Sequence, residues 1–141
     1  MEEKIALSNP LSLFLDKDRA EFNRQDMLRV VQEYDIERFT FHYTSLDGQL
    51  KELKLPIATL KQAEQILATG ERVDGSSLFK GLVDTTNSDL YVVPKYSSAF
   101  LSPFESGSLD FICRFLDRDG QLAPFTPDNV LHRAHERFKE R

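Results

Sequence analysis

The sequence is poor in the residues that build metal centres, disulfides and membrane spans. It has 141 residues and a single cysteine, Cys113, which excludes an internal disulfide and any metal site made of several cysteines. No apolar run approaches the roughly 20 residues that cross a bilayer. The 18 basic residues form no cluster against 23 acidic ones, which argues against nucleic acid or an anionic membrane as a partner. We expect a soluble, cytoplasmic, one-domain protein.

Motifs for nucleophilic catalysis and for nucleotide binding are missing as well. There is no G-x-S-x-G and no G-x-x-x-x-G-K-[ST]. His132 and His135 have a spacing that can ligate a metal, but a mixed-charge stretch surrounds them, so we expect a solvent-exposed helix face. Cys113 lies in an apolar run typical of a buried thiol, and His42 is expected to be structural or exposed.

The composition and the local patterns of the sequence predict a folded α+β domain. Hydrophobic residues make up 40% of the chain and include eleven phenylalanines, enough to fill a core. Asn23 is a candidate N-cap for a helix over about 24–34. The alternation of apolar and polar residues over 39–44 predicts a half-buried strand, and a second strand returns until Pro56.

The second half of the chain continues with one helix and further strands. A capping box at Thr59 starts a helix that Gly70 ends, and a loop is expected over 71–89. The helical spacing of the apolar residues predicts that the inward side chains are those of Leu60, Ala63, Ile66 and Leu67. Strands follow, of which the one over 109–116 is apolar enough to lie centrally in a sheet. Pro127 begins a last helix.

These elements predict a small mixed sheet that grasps a crossing helix, with helices towards both ends of the chain. We divide the chain into an N-terminal arm (1–22), the α+β domain (23–126) and the start of a linker helix (127–141). In the arm, Asn9-Pro10 separates two apolar clusters that show no clear periodicity.

The stretch R-V-D-G-S-S over 72–77 has two interpretations. Asp, Gly and Ser are common turn residues, so an ordinary turn accounts for it. A carboxylate beside two hydroxyls can also bind ammonium. The residues of this stretch alone do not decide between the two.

The order of several short motifs resembles the N-terminal domain of glutamine synthetase. They are F-H-Y-T-S-L-D-G (41–48), L-K-L-P (53–56), D-G-S-S (74–77), N-S-D-L-Y-V-V-P (87–94) and A-P-F-T-P-D-N-V-L (123–131). The resemblance covers about residues 27–141. It implies a β-grasp fold.

The resemblance also implies roles for individual residues. Asp74 would bind ammonium and take a proton from it, and Ser77 and Asp89 would line the same pocket. A base is needed there because ammonium must lose a proton before it attacks an acyl phosphate. The loop would act beside the catalytic domain of a neighbouring subunit in a homo-oligomeric ring.

The resemblance further implies that the metal, nucleotide and glutamate sites lie outside this segment. The whole enzyme would use ATP and Mg or Mn to join ammonia to glutamate, while the segment itself would bind no cofactor or metal and would be inactive alone. The open helix at Arg141 suggests a domain of a longer enzyme. Two alternatives stay open: a related ligase for another amine, and a free-standing β-grasp module that binds a protein partner.

Overall fold

The computed structural model describes residues 9–44, 49–74, 89–117 and 127–139. The helices are α1 (Pro10–Leu15), α2 (Arg24–Glu33), α3 (Leu60–Thr69) and α4 (Pro127–Lys139), and short 3₁₀ turns lie at Arg19–Glu21 and Tyr96–Ser98. The strands are β1 (Arg38–Thr44), β2 (Leu50–Pro56), β3 (Glu71–Asp74), β4 (Asp89–Pro94), β5 (Phe100–Leu101) and β6 (Ser108–Asp117).

The first helix begins at a side-chain cap. Asn9 accepts a hydrogen bond from the backbone N–H of Leu11, and Pro10 occupies the first turn, where a missing N–H costs nothing. The side-chain amide of Asn9 also donates to the carbonyl of Ala99, 2.7 Å away. Leu11 and Leu15 are buried in the same core as the rest of the domain.

Helix α2 begins at a reciprocal capping box. Asn23 accepts from the backbone N–H of Asp26 at 2.9 Å, and the Asp26 carboxylate accepts from the backbone N–H of Asn23 at 3.0 Å. Lys17 donates to the same carboxylate at 2.9 Å and so compensates the negative charge of Asp26, whose side chain is only 6% exposed. The box therefore ties the start of α2 to the segment that follows α1.

The sheet has β1 and β6 at its centre. Among the described strands the order is β2-β1-β6-β4-β3, with β5 pairing with β6 beside this path. The β1–β6 pair is parallel, and the remaining pairs are antiparallel. The mixed sheet and the central position of β6 are as the sequence predicted.

One face of the sheet carries the core. Phe39 and Phe41 alternate with polar residues along β1, and both rings meet Phe111 of β6 edge-on with centroids 5.7 and 5.9 Å apart. All three side chains are fully buried. The inner sides of α2 and α3 complete this core through Met27, Val30, Ala63 and Leu67.

The end of α3 requires a glycine. Gly70 has φ +71° and ψ −162°, and its N–H donates to the carbonyl of Ile66 at 2.8 Å. A Cβ at this position would lie 2.3 Å from the carbonyl oxygen of Val92 on β4. The chain can therefore pass from α3 into β3 against β4 only because residue 70 has no side chain.

Two expectations about local structure were wrong. Residues 71–74 form strand β3 where we expected a loop, since Gly70 places them directly beside β4. Leu60, the first residue of α3, is 41% exposed, although its spacing predicted an inward position. The buried thiol of Cys113 and the predicted start of a helix at Pro127 are confirmed.

Candidate functional site

Two of the three predicted ammonium-site residues, Asp74 and Asp89, lie on the paired strands β3 and β4 at one edge of the described sheet. Strands β3 and β4 are antiparallel, and their register pairs Asp74 with Asp89. The α-carbons of directly opposite residues in such a pair lie roughly 4.5–5.5 Å apart. The structure thus brings together the backbone at two positions that are fifteen residues apart in sequence (89 − 74). Ser77 and the side chains at positions 74 and 89 lie outside the described residues.

The register of β3 with β4 is fixed by residues that the structure describes. One position before Asp74, Val73 pairs with Leu90, which is 2% exposed and belongs to the core. Directly before β3, the close approach of Gly70 to β4 fixes the position at which β3 begins. A slip by one residue would move Val73 out of the core, so the pairing of positions 74 and 89 follows from apolar packing elsewhere.

Acidic residues at directly opposite positions suit a cation. Like charges facing each other across two strands destabilise the pair, whereas a cation between them removes the repulsion. A pair of carboxylates that shares a site can also hold one proton more readily than an isolated one.

A second polar cluster lies on the outer face of the central strands and was not predicted as a unit. Ser108 donates to Asp110 at 2.6 Å, and Thr40 contacts the Ser108 hydroxyl at 2.9 Å. Nε2 of His42 lies 2.9 Å from the other oxygen of Asp110. The cluster joins residues 68 positions apart, so no local sequence pattern reveals it.

The order of groups in this cluster excludes a nucleophilic triad. The carboxylate stands between the serine and the histidine, so Ser108 donates its proton to Asp110 and has no contact with the imidazole among the hydrogen bonds of the described residues. A serine activated for attack needs the histidine as its direct neighbour. His42 is therefore held by Asp110 and does not activate Ser108.

An ion-pair network closes over this cluster. Glu105 accepts from Lys54 at 2.8 Å and from Arg38 at 3.0 Å. These hydrogen bonds, that of Lys54 first, lower the pKa of Glu105. The hydrogen bond that Lys54 donates to Glu105 is in turn the main cause that raises the pKa of Lys54. The pairs are partly exposed, so their contribution to stability is small.

The described ranges hold no group of three or more His, Cys, Asp or Glu side chains that could bind a metal ion. Within the same ranges, no helix is both long and apolar enough to cross a membrane. His135 is exposed on α4, and His132 has no described side chain. The question of a metal site at His132 and His135 thus lies partly outside the described residues.

The fold and the edge site together define a class of protein. A mixed sheet with a central parallel pair, helices on one face and the β3–β4 edge next to the crossing helix make this an α+β domain of the β-grasp type. The family described as "Glutamine synthetase, beta-Grasp domain" matches residues 35–118. The chain belongs to this family, as its motifs predicted.

Individual relatives agree with this assignment. The chain is 29% identical over 124 residues to a glutamine synthetase of Clostridium saccharobutylicum, which covers 86% of the chain. It is 26% identical over 122 residues to one of Staphylococcus epidermidis, which covers 84% of the chain. The chain spans 27% and 26% of the lengths of these two relatives, so it corresponds to about a quarter of each.

Solved structures share the fold. A cryo-EM structure of Plasmodium falciparum glutamine synthetase superposes with a TM-score of 0.69 at 21% identity, covering 84% of this chain and 23% of that one. Apo GmaS without ligand superposes with a TM-score of 0.66 at 18% identity, covering 77% of this chain and 24% of that one. The predicted fold class is confirmed.

Proposed function

We propose that this chain is the N-terminal β-grasp domain of a cytoplasmic glutamine-synthetase-type ligase, which joins ammonia to glutamate with ATP and Mg or Mn. The family assignment supports the general role. The catalytic sites for nucleotide, metal and glutamate would belong to the remaining three quarters of an enzyme as long as the relatives. The 141 residues alone would then be inactive.

Asp74, Ser77 and Asp89 are proposed to form the ammonium site, with Asp74 as the base. The observation that carries this proposal is the direct pairing of positions 74 and 89 on β3 and β4. The site would act at the catalytic domain of a neighbouring subunit in a homo-oligomer. A carboxylate there would first attract ammonium and then take its proton as the amine attacks the acyl phosphate.

The test is glutamine formation by the full product of the gene that carries this chain. We compare the wild type with Asp74→Asn, using Glu64→Gln on the exposed side of α3 as a control for the loss of one charge. Removing a general base lowers turnover by about 10²–10⁴-fold. We expect a loss in that range for Asp74→Asn, normal assembly, and no change for Glu64→Gln.

Three results would redirect the proposal. Full activity of Asp74→Asn would reduce D-G-S-S to an ordinary turn. A wild type that forms product with another amine but not with ammonium would keep the ligase and change its substrate. A gene product no longer than this domain would favour the free-standing module that binds a protein partner.

A further inference from the structure

A cleft of about 360 Å³ opens on the sheet face opposite the core, away from the β3–β4 edge. Its floor is formed by β1 and β6, and one wall is the segment between β5 and β6. The groups that matter for binding are His42, Glu52, Phe100, Phe104 and Asp110, all of which line it. The volume is that of a small ligand site.

The histidine in the cleft is held in one orientation. Because the buried carboxylate of Asp110 only accepts hydrogen bonds, Nε2 of His42 is the donor across their 2.9 Å contact. Nδ1 is then the acceptor of the neutral ring. The imidazole also stacks on Phe100, with centroids 6.0 Å apart and an interplanar angle of 19°. The cleft therefore offers an oriented acceptor on a flat aromatic wall.

The segment between β5 and β6 presents an aromatic ring to solvent. Phe104 is 93% exposed, the largest exposure of any described large hydrophobic residue. Its backbone is nevertheless anchored, since the hydroxyl of Ser102 accepts from the N–H groups of Phe104 and Glu105 at 3.3 and 3.2 Å. An anchored loop that holds a bare phenyl ring beside a cavity is suited to cover a ligand.

The carboxylates that line the cleft differ in the hydrogen bonds and ion pairs that they form. Asp110 is satisfied by Ser108 and His42, and Glu105 by Arg38 and Lys54. Glu52, directly opposite His42 in the β1–β2 register, forms no hydrogen bond or ion pair within the part of the chain that the structure describes. It does interact electrostatically with Lys54, two residues further along β2, whose own hydrogen bond goes to Glu105. One carboxylate thus stays available beside the oriented imidazole.

We propose that this cleft binds a small organic cation of the guanidinium class. A planar guanidinium can stack on a phenyl ring while its N–H groups donate to a carboxylate and to the imidazole nitrogen. Glu52 supplies the charge, His42 supplies a second acceptor, and Phe104 covers the ligand. The site is separate from the proposed ammonium site and does not depend on it.

The test uses the 141-residue chain, in which the structure places all of these groups. Ethylguanidinium is titrated against ¹⁵N-labelled protein, with ethylurea as the neutral analogue of the same shape. Saturable shifts are expected for the imidazole of His42 and the amide of Phe104, and none for His135, which is exposed on α4. Glu52→Gln is expected to weaken binding by about tenfold, the effect of losing one charged hydrogen bond.

Glu64→Gln, a surface change on α3, should leave the affinity unaltered, and Phe104→Ala should reduce it severalfold without unfolding the domain because its ring is exposed. Equal shifts with ethylurea would overturn the proposal. So would equal affinities of the wild type and Glu52→Gln, or an absence of saturation.

Discussion

Gly70 is a position at which one added methyl group should strongly lower the free energy of unfolding. Its φ of +71° and ψ of −162° lie in a backbone region that is essentially restricted to glycine, so any other residue there is strained by roughly 1–3 kcal/mol. In addition, the new Cβ would lie 2.3 Å from the Val92 carbonyl oxygen and 2.7 Å from a methyl group of Val93. Relieving such overlap in a packed region costs about 1–3 kcal/mol more.

Gly70→Ala should therefore lower the free energy of unfolding by about 2–6 kcal/mol, out of a total of roughly 5–15 kcal/mol for a typical domain. Gly107 provides the matched control, because its φ is also positive, at +76°. The three atoms nearest to a Cβ there all belong to the side chain of Glu37, at 3.3 Å, and this flexible side chain can move aside. Gly107→Ala should cost about 1–2 kcal/mol, the strain alone.

Urea unfolding of the two variants and the wild type, followed by far-UV circular dichroism, measures the difference. Gly70→Ala is expected to lose more unfolding free energy than Gly107→Ala. Equal losses would show that the β3–β4 edge moves freely to accommodate a side chain, and that the register of Asp74 opposite Asp89 is not held by Gly70.

Further predictions concern single side chains and are measured in the same unfolding assay. Phe111→Ala should lower the free energy of unfolding by about 3–5 kcal/mol because the ring is fully buried, whereas Phe104→Ala should change it by less than about 0.5 kcal/mol. Equal effects of the two variants would contradict the burial of Phe111 and the exposure of Phe104. Asp26→Ala should cost about 1–2 kcal/mol, since it removes the acidic partner of the α2 capping box, and an unchanged midpoint would show that the box is dispensable. Tyr96→Phe should cost about 1 kcal/mol through the lost 2.8 Å hydrogen bond to the Leu67 carbonyl. Burial raises the pKa of Tyr96, so the folded state favours the neutral phenol; this stabilisation is complete below the ordinary pKa near 10 and is lost as the pH rises through the folded value. The phenylalanine variant should therefore lose less stability than the wild type between neutral and strongly alkaline pH, and parallel alkaline losses would refute the role of the phenol.

Local signals in the sequence predicted those elements whose cause is local. The capping residues Asn23 and Thr59, the alternation along β1 and the apolar run of β6 each act within a few residues, and the corresponding helices and strands are present. Helix α1 had an equally local signal, a capping Asn9 followed by Pro10, which we interpreted as a break between two apolar clusters. The division of the chain at 22/23 and 126/127 stays a prediction.

Features that depend on distant partners could not be predicted in the same way. Strand β3 has only four residues, and it exists because Gly70 allows close approach to β4 rather than because of its own pattern. The contact between His42 and Asp110 arises from the pairing of β1 with β6. For the proposed ammonium site, the resemblance named the residues, while the structure added the backbone pairing that sets positions 74 and 89 opposite each other.

The parallel pairing of β1 with β6 also has a consequence for how the chain folds. Arg38 pairs with Ser108, so the two central strands meet only after a segment of about 70 residues has been brought back on itself. The entropy of closing such a long loop must be overcome before the phenylalanine core can form, and topologies with distant contacts fold slowly, on a scale of about milliseconds to seconds. During that interval, or on a ribosome that has not yet released β6, the hairpin of β1 and β2 exposes Phe39, Phe41 and an open strand edge. Synthesis of this domain therefore passes through a stage prone to aggregation. The duration of this stage is set by the time until β6 has been synthesised and has paired with β1.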